Sequence, residues 1–365
     1  NWHKDGDGAP YDITGVTSSN LINITVFKTR IWFCEVGTLK AWYLSVNSIG
    51  GAATALDLSG VALQGGYLMA AMTWTLDAGY GVDDHLAFIT SNGELILYRM
   101  TDPTSASSIA LIGVWSIGAP IGRRCWIKYG GDLLLITGDG VVPMSRALQS
   151  SRLDPRVSIT DKIQRATSTA ITNYGANFGW QLLYFPKANQ LYLNVPVAEG
   201  SLQQQYVQNN ITGSWCNFTG WEANCWELFG EHPYFGANGV VNKAWTGTAD
   251  NGASITATAL QAFKHYGGSN QRKVQMLRPH FRTNGLPAVY GNVNVDYDTT
   301  DYSAQFSVSG AGTAAGIWNT GKWNQCQWGG GLHTTAEWQS ATGIGYTFAP
   351  FIKTSTMTMQ LEWTA

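Results

Sequence analysis

The stretch AFITSNGELILY, residues 87–98, decides the fold class of this chain. Two runs of aliphatic and aromatic residues flank Asn92 and Gly93, and an Asn-Gly pair supplies the positive φ angles that a two-residue hairpin turn needs. The stretch therefore predicts an antiparallel β-hairpin. Similar turns between β-rich runs recur about every fifty residues, centred on Gly37, Gly93, Gly140, Asn189 and Gly239.

A second strand pair follows several of these turns, as in QQYVQNNITGSWCNF, residues 204–218. Two hairpins per repeat give four strands, which is the composition of a β-propeller blade with a repeat of roughly 40 to 50 residues. We therefore predict an all-β chain with a β-propeller of about five to six blades. The alternative is a pair of β-sandwiches with regularly spaced hairpins.

The repeat fades after residues 246–255. Further on, GNVNVDYDTT (residues 291–300) and TMTMQLEW (residues 356–363) alternate apolar and polar residues, as half-buried antiparallel strands do. The sequence thus predicts a propeller domain over residues 1–259 and a small β-sandwich domain over residues 260–365.

One helix is expected near residues 158–171, in SITDKIQRATSTAI. Four apolar residues there lie near helical spacing, and Ser158 or Thr160 is expected to cap the exposed amide groups. The apolar positions are Ile159, Ile163, Ala166 and Ala170.

Composition excludes several classes of protein. The 365 residues include 22 basic and 24 acidic ones, so no strong positive field recruits nucleic-acid phosphates. No apolar run reaches the ~18 residues of a membrane span, and no secretory signal is recognisable. Five scattered cysteines favour assembly in a reducing cytoplasm. The chain opens NWHKDGDG without a Met, and we expect an upstream segment that completes the ring of blades.

Patterns that carry chemistry are weak. Cys216, Cys225 and His232 lack metal-ligand spacing, and no nucleophile elbow or phosphate loop occurs in the sequence. We therefore expect no enzyme activity, cofactor or metal, and interpret the two cysteines as small apolar fillers. Among the crowded tryptophans, Trp221 and Trp226 are expected to pack between neighbouring blades.

The strongest enzymatic candidate is WTLDAGYGVDDH, residues 74–85, whose Thr75-x-Asp77-x-Gly79 resembles the first half of the Asp-box turn of sialidase propellers. Asp83 and Asp84 add carboxylates suited to acid/base work on a glycoside. A structural turn held by an Asp side chain is the other interpretation. The alternative function is therefore a glycan-binding or glycan-cleaving propeller.

Basic residues gather in two places. Because Arg pairs with carboxylates and stacks on aromatic rings, these clusters are interpreted as interface residues, with contact to phosphates as the rival interpretation. The candidates are Arg123, Arg124, Arg272, Lys273, Arg278 and Arg282.

A set of ordered phrases resembles a known family. RIWFCEVGTLKAWYL (residues 30–44), the run over residues 79–125, TGSWCNFTGWEANCW (residues 212–226) and TGTADNGASI (residues 246–255) are similar to the propeller-containing tail hub or nozzle proteins of short-tailed bacteriophages. The resemblance implies a ring of identical subunits, commonly six, below the head-to-tail connector and around the DNA exit channel.

From this resemblance we expect a structural virion protein of the phage tail, assembled in the bacterial cytoplasm. Its partners are then other copies of itself, connector or adaptor proteins and other tail proteins, with DNA passing through unbound by sequence and no membrane contact. Low basic content suits such passage, because each neutralised phosphate adds affinity. A third hypothesis is a kelch-like interaction scaffold, in which Tyr129-Gly130-Gly131 matches the paired glycines but lacks the downstream Trp.

Overall fold

A computed structural model describes residues 2–3, 10–77, 82–148, 157–268, 270–285, 287–302, 305–306 and 332–364. The chain divides into two compact units, Asn1–Trp245 and Thr246–Ala365. No helix among the described residues is long and apolar enough to cross a membrane.

Among the described residues, the first unit contains five antiparallel sheets of three or four strands that follow one another along the chain. Sheet 1 has β4, β5, β6 and β8; sheet 2 has β9 to β12; sheet 3 has β13 to β15; sheet 4 has β16 to β19; and sheet 5 has β20 to β22. The strands of sheets 1 to 3 are β4 (Leu21–Phe27), β5 (Arg30–Glu35), β6 (Lys40–Tyr43), β8 (Thr54–Asp57), β9 (Leu68–Asp77), β10 (Val82–Thr90), β11 (Glu94–Met100), β12 (Ile109–Ser116), β13 (Trp126–Tyr129), β14 (Asp132–Thr137) and β15 (Gly140–Pro143). Those of sheets 4 and 5 are β16 (Gln181–Phe185), β17 (Gln190–Ala198), β18 (Leu202–Asn209), β19 (Ser214–Thr219), β20 (Cys225–Phe229), β21 (His232–Ala237) and β22 (Val240–Lys243).

Two small strand pairs also belong to this unit. They are the antiparallel β1 (Trp2–His3) with β2 (Pro10–Tyr11), and the parallel β3 (Ile13–Thr14) with β7 (Gly51–Ala52).

The sheets are arranged as propeller blades. The leading strands of successive sheets contact one another: β4 touches β9, β13 touches β16, and β16 touches β20. Three apolar cores lie between the sheets, and Trp32, Leu135 and Phe235 are members of one core each. The predicted all-β propeller is therefore confirmed, although sheets 3 and 5 show three strands rather than four among the described residues.

The two Asn-Gly turns differ in length and backbone angles, although their sequences are alike. At Asn238-Gly239 both residues have positive φ (42° and 80°), as predicted for a two-residue hairpin. At Asn92-Gly93 only Gly93 does (83°), and three residues separate β10 from β11. The two-residue turn predicted there is wrong, because the Thr90 side chain accepts the Glu94 amide (3.0 Å) and closes a longer loop.

The predicted helix lies a few residues later than expected. A 3₁₀ turn at Asp161–Ile163 leads into α2 (Gln164–Tyr174), and a short α1 (Met144–Ala147) precedes it. The predicted caps are wrong, since no side chain caps either turn. The Ser158 and Thr160 hydroxyls instead bond each other (2.6 Å) and the main chain of Val141, which is buried against them.

The second unit is a small β-sandwich. Its four-stranded sheet has the order β23 (Ile255–Leu260), β30 (Phe348–Thr356), β26 (Val289–Val295), β27 (Gln305–Phe306). Phe281 on another sheet packs with Val289 and Ile352 in one buried cluster. The other strands are β24 (Arg272–Leu277), β25 (His280–Thr283), β28 (His333–Ala336), β29 (Gln339–Gly345) and β31 (Leu361–Trp363).

The position of β23 bears on the domain boundary. The sequence placed the boundary after residue 259, whereas all of β23 pairs with β30 inside the second unit. The central residues of β23, TATA, give only a weak strand signal in the sequence. The pairing with β30 is what assigns this strand to the second unit.

Candidate functional site

The tryptophans near residue 220 form a packed cluster between sheets 4 and 5. Trp226 on β20 stacks on Tyr192 of β17, and Trp221 lies 5.6 Å from Trp226 between ring centroids. Phe235 of β21 packs against both tryptophans. The prediction that Trp221 and Trp226 pack between blades is confirmed.

The buried side-chain amide of Asn194 contacts this cluster. Asn194 donates to the carbonyls of Gly179 (2.8 Å) and Ala223 (3.0 Å), and its Oδ1 accepts from the Trp226 indole (3.1 Å) and from Gln205 (2.9 Å). Asn194 is fully buried, so each of these bonds replaces one to water. Sequence reasoning missed this residue because a single Asn in a strand looks like a surface position.

The cysteines only partly match their expected role. Cys225 is half-buried, but Cys216 is exposed, so the filler interpretation is wrong for Cys216. Its partner in the register, Val207 on β18, is buried, whereas Cys216 lies on the outermost strand of that sheet, β19. Cys34 and Cys125 are buried, and burial raises the pKa of each thiol to about 12. Neither is ionised at neutral pH, so neither is a ready nucleophile.

Metal-ligating groups do not converge in the part of the chain that the structure describes. No cluster of three His, Cys, Asp or Glu side chains there has the geometry to hold a metal ion.

The carboxylates of the Asp-box-like stretch are only partly described. Asp77 and Asp83 lie on paired strands, but their side chains and the turn at residues 78–81 fall outside the described residues. Asp84 accepts bonds from the Lys28 ammonium (2.7 Å) and the Thr75 hydroxyl (3.0 Å). The Lys28 bond lowers the pKa of Asp84, so this carboxyl stays ionised and is unsuited to act as a general acid.

The two basic clusters belong to different units. In the first unit Arg124 donates to Gln181 (3.3 Å) and lies over the Phe178 ring, 5.5 Å from its centroid. Arg123 beside it is exposed. Arg124 is therefore held in place by its own unit, while Arg123 is presented outward.

The second unit holds the other four candidates. Arg272 bonds the Gly267 carbonyl, and Arg282 pairs with Glu362 (3.1 Å). Arg278 bonds the Ala336 carbonyl (3.4 Å) and lies over the Trp338 ring. Lys273 is exposed on β24. Three of the four thus have intramolecular partners.

Exposed apolar side chains on strands are the surface feature that sequence reasoning missed. They occur on the end strands of sheets in both units, where monomeric proteins usually place polar residues. The members with an exposed fraction above 40% include Leu111, Ile112, Val240, Val241, Ile255, Met276 and Ile344.

Comparison with known proteins gives no family. No protein-family model and no curated protein matches the chain. Among solved structures, an exo-β-1,3-galactanase from Phanerochaete chrysosporium is 7% identical over 97% of this chain and 99% of its own, with a TM-score of 0.34. The Cps50 (Swd1) β-propeller domain of Myceliophteria thermophila is 9% identical over 62% and 67%, with a TM-score of 0.33. YCF48 from Cyanidioschyzon merolae is 12% identical over 65% and 52%, with a TM-score of 0.26. Likenesses this weak carry no argument about function.

Proposed function

We propose that the protein is a non-enzymatic structural component of the tail of a short-tailed bacteriophage. In this role identical copies, commonly six, form the hub or nozzle ring below the head-to-tail connector, and DNA leaves the particle through it. Connector or adaptor proteins and other tail proteins are its partners, and the virion tail is its location.

The observation that carries the proposal is the exposed apolar surface on strands, taken together with the family resemblance in the sequence. A subunit of a ring buries large surfaces against its neighbours, and such surfaces are rich in apolar side chains before assembly. Val241 and Ile112 are examples, with exposed fractions of 77% and 44%.

The charge balance is also compatible with a DNA channel that does not hold its cargo. The chain has a net charge of −2, and most of the candidate basic residues are engaged within the subunit. Few phosphate contacts mean little counterion release and weak binding.

The glycan alternative gains no observation in its favour. Asp84 is bound to Lys28 and Thr75, and the other two carboxylates of that stretch have undescribed side chains.

Electron microscopy of purified particles tests the proposal. We expect a ring of this protein at the tail, and specific antibody labelling at the same place. Particles that contain none of the protein would contradict the proposal, and so would hydrolysis of a host surface polysaccharide by the purified chain.

A further inference from the structure

The sequence contains four Asn-Gly pairs, and the structure places them in two different settings. Such a pair is prone to deamidation, because glycine has no Cβ that would hinder attack by its main-chain nitrogen on the Asn side chain. The local restraints on the two reacting groups therefore set the reactivity of each pair. The pairs are Asn92-Gly93, Asn238-Gly239, Asn251-Gly252 and Asn284-Gly285.

The reaction consumes only water and needs no cofactor or second protein. The Gly main-chain nitrogen loses its proton to the solvent and attacks the Cγ carbon of the Asn side chain. An N–C bond forms, and the Cγ–Nδ2 bond breaks as ammonia leaves with a proton from water. Water then opens the succinimide ring at one of its two carbonyls, which gives Asp or isoaspartate. Hydrogen bonds to the Asn amide or the Gly nitrogen oppose the first step, because they must break before the ring closes.

Asn238-Gly239 has free reacting groups. The pair is the exposed two-residue turn between β21 and β22, where Ala237 pairs with Val240. Among the described residues, no group bonds the Asn238 side chain or the Gly239 amide. A Cβ on Gly239 would meet open space, so there is room for a ring at this position.

Asn251-Gly252 has the same setting in the second unit. Asp250 and Ala253 exchange two main-chain bonds around it, of 3.0 and 2.8 Å. Both turn residues are exposed and have positive φ, 47° and 83°. No described group bonds the Asn251 side chain or the Gly252 amide, and a Cβ on Gly252 would also meet open space.

Asn92-Gly93 is restrained at both reacting groups. The Asn92 amide donates to the Gln64 carbonyl (2.7 Å), and the Gly93 nitrogen donates to the Thr90 carbonyl (3.0 Å). Gly93 is also buried, and a Cβ there would collide with the main chain of Gly118.

Asn284-Gly285 is restrained by different partners. The Asn284 Oδ1 accepts the Gln360 amide (2.9 Å), and the Gly285 nitrogen donates to the Thr283 hydroxyl (3.2 Å). A Cβ on Gly285 would collide with the Met359 side chain.

We propose that Asn238 and Asn251 are the Asn-Gly sites at which the folded protein deamidates, and that Asn92 and Asn284 are protected. This inference goes beyond the proposed tail function and does not depend on it. Each event adds a negative charge, and the isoaspartate product adds a bond to the main chain. A two-residue hairpin turn sets the register of its strands, so isoaspartate at Asn238 disrupts the pairing of β21 with β22.

Peptide mapping by mass spectrometry tests the proposal on the full chain. Samples incubated in mildly alkaline buffer, folded or unfolded in urea, are digested, and the mass increase from NH₂ to OH is followed at each Asn. We expect Asn238 and Asn251 to react first in the folded chain and all four sites to react at similar rates in urea. Two hydrogen bonds of ordinary net strength should make the acceleration by urea roughly tenfold larger for Asn92 and Asn284 than for the open pairs.

Thr283→Val releases one protected site. The change removes the hydroxyl that binds the Gly285 nitrogen and nearly keeps the side-chain volume, so Asn284 should react faster in the folded variant. Asn92 in the same sample is the internal control and should keep its rate. Circular dichroism checks that the variant folds, and if it does not, the comparison of folded and unfolded wild type decides.

The proposal is overturned if Asn92 or Asn284 reacts in the folded wild type as fast as Asn238 and Asn251. It is also overturned if Asn238 and Asn251 stay intact in the folded chain while they react in urea. A folded Thr283→Val chain with an unchanged rate at Asn284 contradicts the protection assigned to that site.

Discussion

The rings of Tyr192 and Trp226 lie almost parallel, with an interplanar angle of 3° and centroids 5.7 Å apart. The two residues belong to different sheets, Tyr192 to sheet 4 and Trp226 to sheet 5. Their contact therefore fixes one blade against the next. Burial of the Tyr192 hydroxyl also raises the pKa of this residue well above its ordinary value, so the ring stays neutral.

Replacing Trp226 should destabilise the first unit strongly. Trp226→Ala removes a 2%-exposed side chain and the indole bond to Asn194, and large-to-small changes of this kind cost about 3–5 kcal/mol. Urea unfolding monitored by circular dichroism measures the loss. Trp338→Ala, at a 61%-exposed position, is the control and should cost under about 1 kcal/mol. Equal losses would contradict the assigned packing.

Asn194→Ala should lower the free energy of unfolding by more than the lost side-chain volume implies. The change leaves the Gly179 and Ala223 carbonyls and the Gln205 amide without this partner, and each buried unsatisfied group costs about 1–3 kcal/mol. Thermal unfolding should show a large fall in Tm. Asn217→Ala, at an exposed position of β19, is the control. If both variants lower Tm by a similarly small amount, water replaces the Asn194 amide and the prediction is wrong.

Comparing Ala substitutions at two glycines distinguishes the cost of positive φ from the cost of steric overlap. Gly93 and Gly239 have similar φ angles of 83° and 80°. A Cβ at Gly93 would collide with the main chain of Gly118, whereas a Cβ at Gly239 meets open space. Both Ala substitutions carry the cost of positive φ, about 1 kcal/mol. Denaturant unfolding should therefore show a clearly larger loss for Gly93→Ala, and equal losses would exclude the close approach.

The Asp84–Lys28 pair should make a small contribution that depends on pH. The pKa of Asp84 is lowered in the folded state, so its stabilisation is present above the unfolded pKa and is lost as pH falls through the folded pKa. Both side chains are more than a third exposed, which limits the effect to under about 1 kcal/mol.

Asp84→Asn should accordingly lower Tm slightly at neutral pH and have no effect in strong acid. Melting curves of wild type and variant across the acid range measure this convergence. Asp301→Asn, at the more exposed pair with Lys353, is the control for general surface charge. A Tm difference between wild type and Asp84→Asn that grows as pH falls would contradict the lowered pKa of Asp84.

The repeat of hairpins was predictable because turn chemistry and strand periodicity are local. Asn238-Gly239 adopts the predicted turn, since its two residues alone determine the backbone angles. Asn92-Gly93 does not, because the Thr90 hydroxyl accepts a hydrogen bond from the Glu94 amide and closes a longer loop. Helix α2 was predictable in kind, but its start was not, because Ser158 and Thr160 bond a neighbouring strand instead of capping it.

The sequence by itself determined that this is an all-β protein with a repeated blade and that Trp221 and Trp226 lie inside it. Both follow from patterns within short windows, where alternation and bulk specify burial. Only the tertiary structure decided that Asn194 supports Trp226, that Arg124 is held by Gln181, and that β23 is the end strand of its sheet among the described strands. Each of these depends on residues far apart in sequence, whose meeting is set by sheet order and register rather than by local propensity.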